Sequence, residues 1–200
     1  MFKNLRNSFL RHILVVKIFF SIAPKKLFFR VTVNACKNFL HIFTPSSAVL
    51  GLTYQCQCQC IHCSAGLYPK DKEKELTKNK WITILDNIYR LGVPRINLTG
   101  GEALLRNDVF DIIKYATKKF VVILETNGQL LTQEIIEKLK KSKISCIAVS
   151  IDDLNPEKHD KDRNLSNCFQ NAFDGISRLT KSGIPCIIST YLTPEKINKE

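Results

Sequence analysis

The sequence predicts an α/β fold built on parallel strands, and three observations carry that expectation. From residue 46 onward, short apolar runs alternate with longer segments of helical period. Helical segments open on a Thr cap or close on a glycine, and a polar or glycine-bearing cluster follows each apolar run. Strands separated in this way pair in parallel through right-handed crossovers. Five strands can be counted, short of the eight that close a barrel, so the expected architecture is a partial TIM-type (β/α) barrel.

Residues 1–45 precede the barrel as a separate unit. They interleave apolar clusters (Phe9, Leu10, Ile13 and Leu14; Ile18, Phe19 and Phe20; Leu27, Phe28 and Phe29) with Lys and Arg at near-helical spacing, which describes a basic amphipathic helical arm. Such an arm either lies in the headgroup layer of an anionic membrane or packs its apolar face on the rest of the protein, and both readings stay open. Residues 46–200 form the second unit. AVLGLTY (48–54) reads as the first strand, residues 76–92 as a helix capped by Thr77 and stopped by Gly92, and RINLT (95–99) as the second strand. A helix over 108–119, a strand over 120–126, a helix over 132–142 capped by Thr132, a strand over 144–150, a helix over 167–183 and a strand over 185–192 continue the cycle. TPEKINKE (193–200) reads as the start of another helix cut short, so the expectation is an incomplete barrel.

Charge is distributed unevenly. Of the net +12, the amino-terminal 70 residues contribute nine Lys and Arg with no Asp or Glu, while the remainder is close to balanced. Because the basic arm mixes its charge with a broad apolar face and not with exposed stacking groups, nucleic-acid binding is not expected. Lys17 interrupts the apolar run and Pro24 follows its end, which argues against a cleaved secretory signal; Ile13–Ala23 is too short and too charged to span a bilayer.

Four of the eight cysteines, Cys56, Cys58, Cys60 and Cys63, crowd into eight residues after the first strand. Neighbouring thiols at this spacing pair poorly with each other and read as metal ligands in a reducing compartment. Cys146, Cys168 and Cys186 stand in apolar stretches and read as small core residues. In parallel α/β folds function gathers at the carboxyl ends of the strands. There the sequence places Thr99-Gly100-Gly101-Glu102, Thr126-Asn127-Gly128, Ser150-Ile151-Asp152, and Thr190-Tyr191. An all-cysteine zinc site is an alternative, although structural zinc usually takes two separated ligand pairs. A simple electron carrier would want four cluster ligands and no cofactor pocket. An inactive remnant or adaptor that binds membrane through the arm is a third alternative.

Cys56-x3-Cys60-x2-Cys63, Gly100-Gly101-Glu102, Thr126-Asn127-Gly128 and Ser150, together with HDKDR (159–163), resemble the radical S-adenosylmethionine (SAM) enzymes, in the branch of molybdenum-cofactor and peptide-maturing members. The resemblance implies that Cys56, Cys60 and Cys63 hold three irons of a [4Fe–4S] cluster, with the fourth iron left for SAM. It implies reductive cleavage of SAM to a 5′-deoxyadenosyl radical that abstracts hydrogen from a peptide or lipid-like substrate, with electrons from a donor such as flavodoxin or ferredoxin. By the same resemblance Gly100, Gly101 and Glu102 receive the methionine amino end, Thr126, Asn127 and Ser150 lie near its carboxylate or the ribose, and His62 borders the adenine. Arg163 is expected either to neutralise a carboxylate or to form a surface ion pair in a loop. The implied location is the cytoplasm, with possible peripheral contact to the inner membrane face through the arm. Cys58 is an extra thiol, expected by register to point away from the cluster, and Ala103 replaces the proline that usually follows Gly-Gly-Glu.

Overall fold

In a computed structural model the chain is described over residues 45–68 and 75–193, with Phe29, Thr32, Val33, Cys36, Lys37 and Leu40 from the arm. The rest of the expected amphipathic arm, and the helix expected after residue 193, lie outside the described residues. Five strands, β1 (Ser47–Gly51), β2 (Arg95–Thr99), β3 (Val121–Thr126), β4 (Cys146–Ser150) and β5 (Cys186–Ser189), form one sheet in the order β1-β2-β3-β4-β5. Every neighbouring pair is parallel. Strictly consecutive order separates this sheet from a doubly wound one, whose order reverses at a switch point. With right-handed crossovers it sets the connecting helices on one side, as in a (β/α) barrel. The protein is therefore a partial barrel.

The register explains the core. Ala48, Ile96 and Val122 are neighbours across three strands, as are Leu50, Leu98, Leu124 and Ile147 across four. Ile96, Leu98, Val122, Leu124 and Ile147 are fully buried against the helices α1 (Lys78–Arg90), α2 (Val109–Ala116), α3 (Gln133–Lys141) and α5 (Cys168–Ser182), which contribute Leu85, Ile112, Ile113, Ile136, Leu139 and Leu179. Each such side chain stabilises the fold by about 1.5–3 kcal/mol relative to exposure. Because strand side chains alternate, the opposite face carries Asn97, Thr99, Glu125 and Ser150. Asn97 donates from Nδ2 to Glu125 Oε1 at 2.7 Å on that face. One side of the sheet is thus apolar core, and the other is polar toward the carboxyl ends of the strands.

Thr77 and Thr132 cap α1 and α3 as expected, each hydroxyl accepting a backbone N–H three residues on. One helix was not expected: α4 (Pro156–Arg163) replaces the loop anticipated around HDKDR. PEKHDKDR has no apolar stripe, so periodicity is blind to it. Its signal is at the ends: Asn155 caps the Lys158 N–H, Pro156 supplies a preset first turn, and Asn164 closes the helix in the left-handed conformation. The first and last strands are shorter than expected, because the chain leaves the sheet at Leu52 and after Ser189.

Candidate functional site

The cysteine loop begins where β1 ends. Leu52 still donates to the Thr99 carbonyl at 2.8 Å, and from Thr53 the chain is held by backbone contacts with its neighbours. Gly101 N–H donates to Thr53 O and Glu102 N–H to Gln55 O, both at 2.7 Å. A Cβ on Gly100 would stand 2.3 Å from Thr53 O, and one on Gly101 2.3 Å from Gln55 O. The paired glycines therefore let the β2 turn dock directly on the backbone of the cysteine loop. From the other side, the last carbonyls of α4 accept the loop: Gln59 N–H bonds Arg163 O at 3.0 Å and Ile61 N–H bonds Asp162 O at 2.9 Å. A 3₁₀ turn, Ser64–Leu67, follows Cys63.

Within this frame Cys56, Cys60 and Cys63 are half-buried and line one cavity of about 300 Å³. His62, Gly100, Gly101, Thr126, Asn127, Ser150 and Arg163 line the same cavity, as do Thr99 and Glu125. Cys58, expected to point away, is the most buried of the four yet still forms part of the wall, hydrogen-bonded with Cys56, Cys60 and Cys168. The Cys58 thiol is pushed up, first by its hydrogen bond with Cys168. Cys168 is held down at about 6, first by the same contact, and Cys60 is lowered first by Cys58 and further by the Arg163 charge. Cys168 is fully buried, as the sequence suggests, and it is also engaged: Gln129 Nε2 donates to its sulfur at 3.2 Å, and His159 interacts with it.

Glu102 is placed differently from the expectation. Its side chain is fully buried, away from the cavity wall. One carboxylate oxygen accepts Leu104 N–H at 3.0 Å; the other accepts Thr126 Oγ1–H at 2.8 Å and Asn127 N–H at 2.9 Å. Glu102 is a staple between the turns after β2 and β3. Desolvation raises its pKa to about 7 against the opposing effect of these three donors. Asn127 in turn donates from Nδ2 to Cys56 Sγ at 3.6 Å and to Cys58 Sγ at 3.4 Å.

Arg163 is buried at the end of α4, and the carboxylate it neutralises is that of Asp152: Nε and Nη2 donate to Asp152 Oδ2 at 2.9 and 2.6 Å. Asp152 is a hub. Its Oδ1 accepts Tyr191 N–H at 3.1 Å, its own N–H donates to His159 Nδ1 at 3.2 Å, and His62 Nε2 lies 3.7 Å from Oδ2. His62 stacks on Tyr191 with centroids 4.5 Å apart and planes 7° from parallel. The sequence lists Asp152 and Tyr191 at strand ends without singling them out, and it misses Glu125. A polar residue at alternate positions of an apolar strand was the available signal for Glu125.

Among the described residues no three His, Cys, Asp or Glu side chains converge as a single metal ion requires. A four-iron cluster takes each thiolate at a different iron, so its ligands stand apart. An α/β partial barrel with a thiol-lined cavity at the carboxyl rim defines the class of protein. The chain matches the Radical SAM superfamily over residues 50–200 and belongs to it. The superfamily consists of enzymes whose cofactors are a [4Fe–4S] cluster and SAM. The AdoMet-dependent heme synthase of Methanosarcina barkeri is 36% identical over 149 residues, covering 74% of this chain and 43% of that protein. Mycofactocin maturase MftC of Mycolicibacterium smegmatis is 31% identical over 150 residues, covering 74% and 38%. The structure of Streptococcus suis SuiB bound to S-adenosylmethionine superposes with a TM-score of 0.66 at 19% identity, over 83% of this chain and 40% of that one. The chain spans less than half the length of these relatives.

Proposed function

We propose that residues 46–200 form a radical SAM core in which Cys56, Cys60 and Cys63 hold a [4Fe–4S] cluster and the adjoining rim binds SAM. The observation that carries this reading is the convergence of those three thiols with Gly100, Gly101 and Ser150 on one cavity. The donor set fits a cluster: Cys56 Sγ accepts the Cys58 N–H at 3.4 Å, and the buried Arg163 cation lies close enough to Cys60 to favour its thiolate. When bound and reduced, the cluster supplies the electron that splits SAM into methionine and a hydrogen-abstracting 5′-deoxyadenosyl radical.

The residues of the chain bind and orient. The Gly100–Gly101 turn, docked on the cysteine loop, brings its backbone to the cavity wall for the methionine end, and the hydroxyl of Ser150 offers a polar contact on the same cavity. The flat His62–Tyr191 pair, anchored by Asp152, supplies a stacking face for the adenine. A relative named a heme synthase favours a small-molecule substrate and one named a peptide cyclase favours a peptide, with an electron carrier such as flavodoxin or ferredoxin as partner. No helix among the described residues is long and apolar enough to cross a membrane. The basic arm, residues 1–45, is proposed as a peripheral contact to the inner membrane face of the cytoplasm; loss of liposome binding on its deletion supports this, and unchanged binding ends it.

The test of the core reading is anaerobic reconstitution with iron and sulfide, reduction in the presence of SAM, and assay of 5′-deoxyadenosine. Its formation supports the reading. A loaded cluster that leaves SAM intact overturns the proposed activity for this chain, and zinc in place of iron overturns the site.

A further inference from the structure

We propose that Asn127 is a hydrogen-bond donor to the Cys56 sulfur that makes the cluster easier to reduce, a role distinct from contact with the SAM carboxylate or ribose. The proposal rests on the ligand set given above.

Asn127 is only 5% exposed, and both ends of its amide are engaged inside the protein. Its Oδ1 accepts the Gln129 N–H at 3.0 Å. A carbonyl oxygen must face that N–H, so the orientation of the amide is determined and the NH₂ group points to the thiols. Nδ2 then stands 3.6 Å from Cys56 Sγ and 3.4 Å from Cys58 Sγ, within the longer range that sulfur allows, one hydrogen for each. The backbone beneath is equally constrained. Asn127 N–H and the Thr126 hydroxyl share Glu102 Oε2, and the Gly128 N–H returns to Thr126 Oγ1 at 3.1 Å. The donor is therefore aimed by the protein's own hydrogen bonds, and at 5% exposure the Asn127 side chain has little solvent to turn to.

A cluster gains one negative charge on reduction, part of which falls on its ligand sulfurs. A fixed N–H dipole directed at one sulfur stabilises the reduced state more than the oxidised state, and hydrogen bonds to sulfur are one of the means by which proteins set cluster potentials. Removal of the donor should therefore lower the midpoint potential. Outer contacts of this type are worth about 10-fold or more at metal sites. Taken as a 10-fold fall in the reduced-to-oxidised ratio at a fixed potential, the shift is about 59 mV for a one-electron couple.

The test uses the full chain, reconstituted anaerobically, with Asn127→Leu to remove both hydrogen-bonding ends at similar volume and Asn127→Asp to keep the shape and the Gln129 contact without the NH₂ donor. Iron and sulfide per chain, the electron paramagnetic resonance spectrum of the reduced cluster, and the midpoint from redox titration are read, with far-UV circular dichroism as the folding control. The expected result is wild-type loading in Asn127→Leu with the midpoint moved negative by about the amount above and an altered resonance spectrum; a negative shift in Asn127→Asp alone follows from its added carboxylate charge and overturns the donor role. Full loading with an unchanged midpoint overturns the donor role while leaving the ligand set intact. Loss of the cluster from both folded variants also overturns it, making Asn127 an assembly residue. A wild-type chain that loads no cluster overturns the ligand set itself, and this proposal with it.

Discussion

Replacing Gly100 with Ala tests whether the cysteine loop is shaped by direct backbone docking. Gly100 has φ +140°, and a Cβ there would meet Thr53 O at 2.3 Å, Thr53 N at 3.0 Å and Leu52 N at 3.2 Å, all backbone atoms that cannot rotate away. Gly92, after α1, is the internal control: its φ is +88°, but a Cβ there meets nothing within 4 Å. Both substitutions carry the left-handed penalty of about 1–2 kcal/mol. Gly100→Ala adds overpacking of about 1–3 kcal/mol. It also strains the Leu52–Thr99 and Gly101–Thr53 hydrogen bonds, worth about 0.5–1.5 kcal/mol each. The expected excess over Gly92→Ala is about 3 kcal/mol, which at a urea slope of about 2 kcal/mol/M is a midpoint about 1.5 M lower. Urea unfolding followed by circular dichroism measures it, and iron incorporation should fall in Gly100→Ala alone. Coincident unfolding midpoints for the two variants would refute the docking argument.

Cys60→Ala should abolish cluster loading whereas Cys58→Ala should leave it nearly intact, read as iron per chain; the reverse pattern would show that the triplet is wrong. Arg163→Leu leaves Asp152 buried without its cation and should destabilise by about 3–5 kcal/mol, with Arg163→Leu/Asp152→Leu less costly than the two single losses added together. A double-mutant cycle by denaturation checks the coupling, and additive losses would count against it. For the cluster-free chain, Glu102 has a folded pKa of about 7 against a usual 4.5, so the folded state binds the proton more tightly. Its contribution to stability is fully present below pH 4.5, is lost as pH rises toward 7, and is level above that, with a slope of at most about 1.4 kcal/mol per pH unit. The difference between wild type and Glu102→Gln across that window isolates it from Cys168, whose lowered pKa acts in the opposite direction above about 6. A difference that grows with pH would contradict the sign.

The strands and long helices were legible because burial imposes a period, and the capping threonines and Gly92 marked their ends. The helix α4 was not, since its eight residues bury only His159 and Arg163 and present no apolar stripe. That omission put Arg163 in a loop and left a surface ion pair open as one of its two fates, when the helix turns it inward to Asp152. Glu102 was legible as important but not in direction: the motif puts a carboxylate after two glycines, while the φ of Gly100 and the closeness of the Cys loop decide that it turns inward toward the Thr126–Asn127 turn. Cys58 and Cys168 lie 110 positions apart in the chain. Nothing in the local pattern of either reveals that they meet.

The cysteine loop and the elements around it complete one another through the backbone. A helix end leaves its last carbonyls without intrahelical partners, and an irregular loop leaves its N–H groups likewise unpaired. At this site the two deficits cancel, with Gln59 and Ile61 donating to Arg163 and Asp162. The arrangement has an electrostatic cost, because the negative end of the α4 dipole then faces a loop meant to carry thiolates. The charge of the same terminal residue, Arg163, acts on Cys60 and offsets it, and Asp152 holds that cation in place while anchoring Tyr191 against His62. A single buried ion pair, Arg163 with Asp152, thereby links the thiol side of the site to the His62–Tyr191 stack.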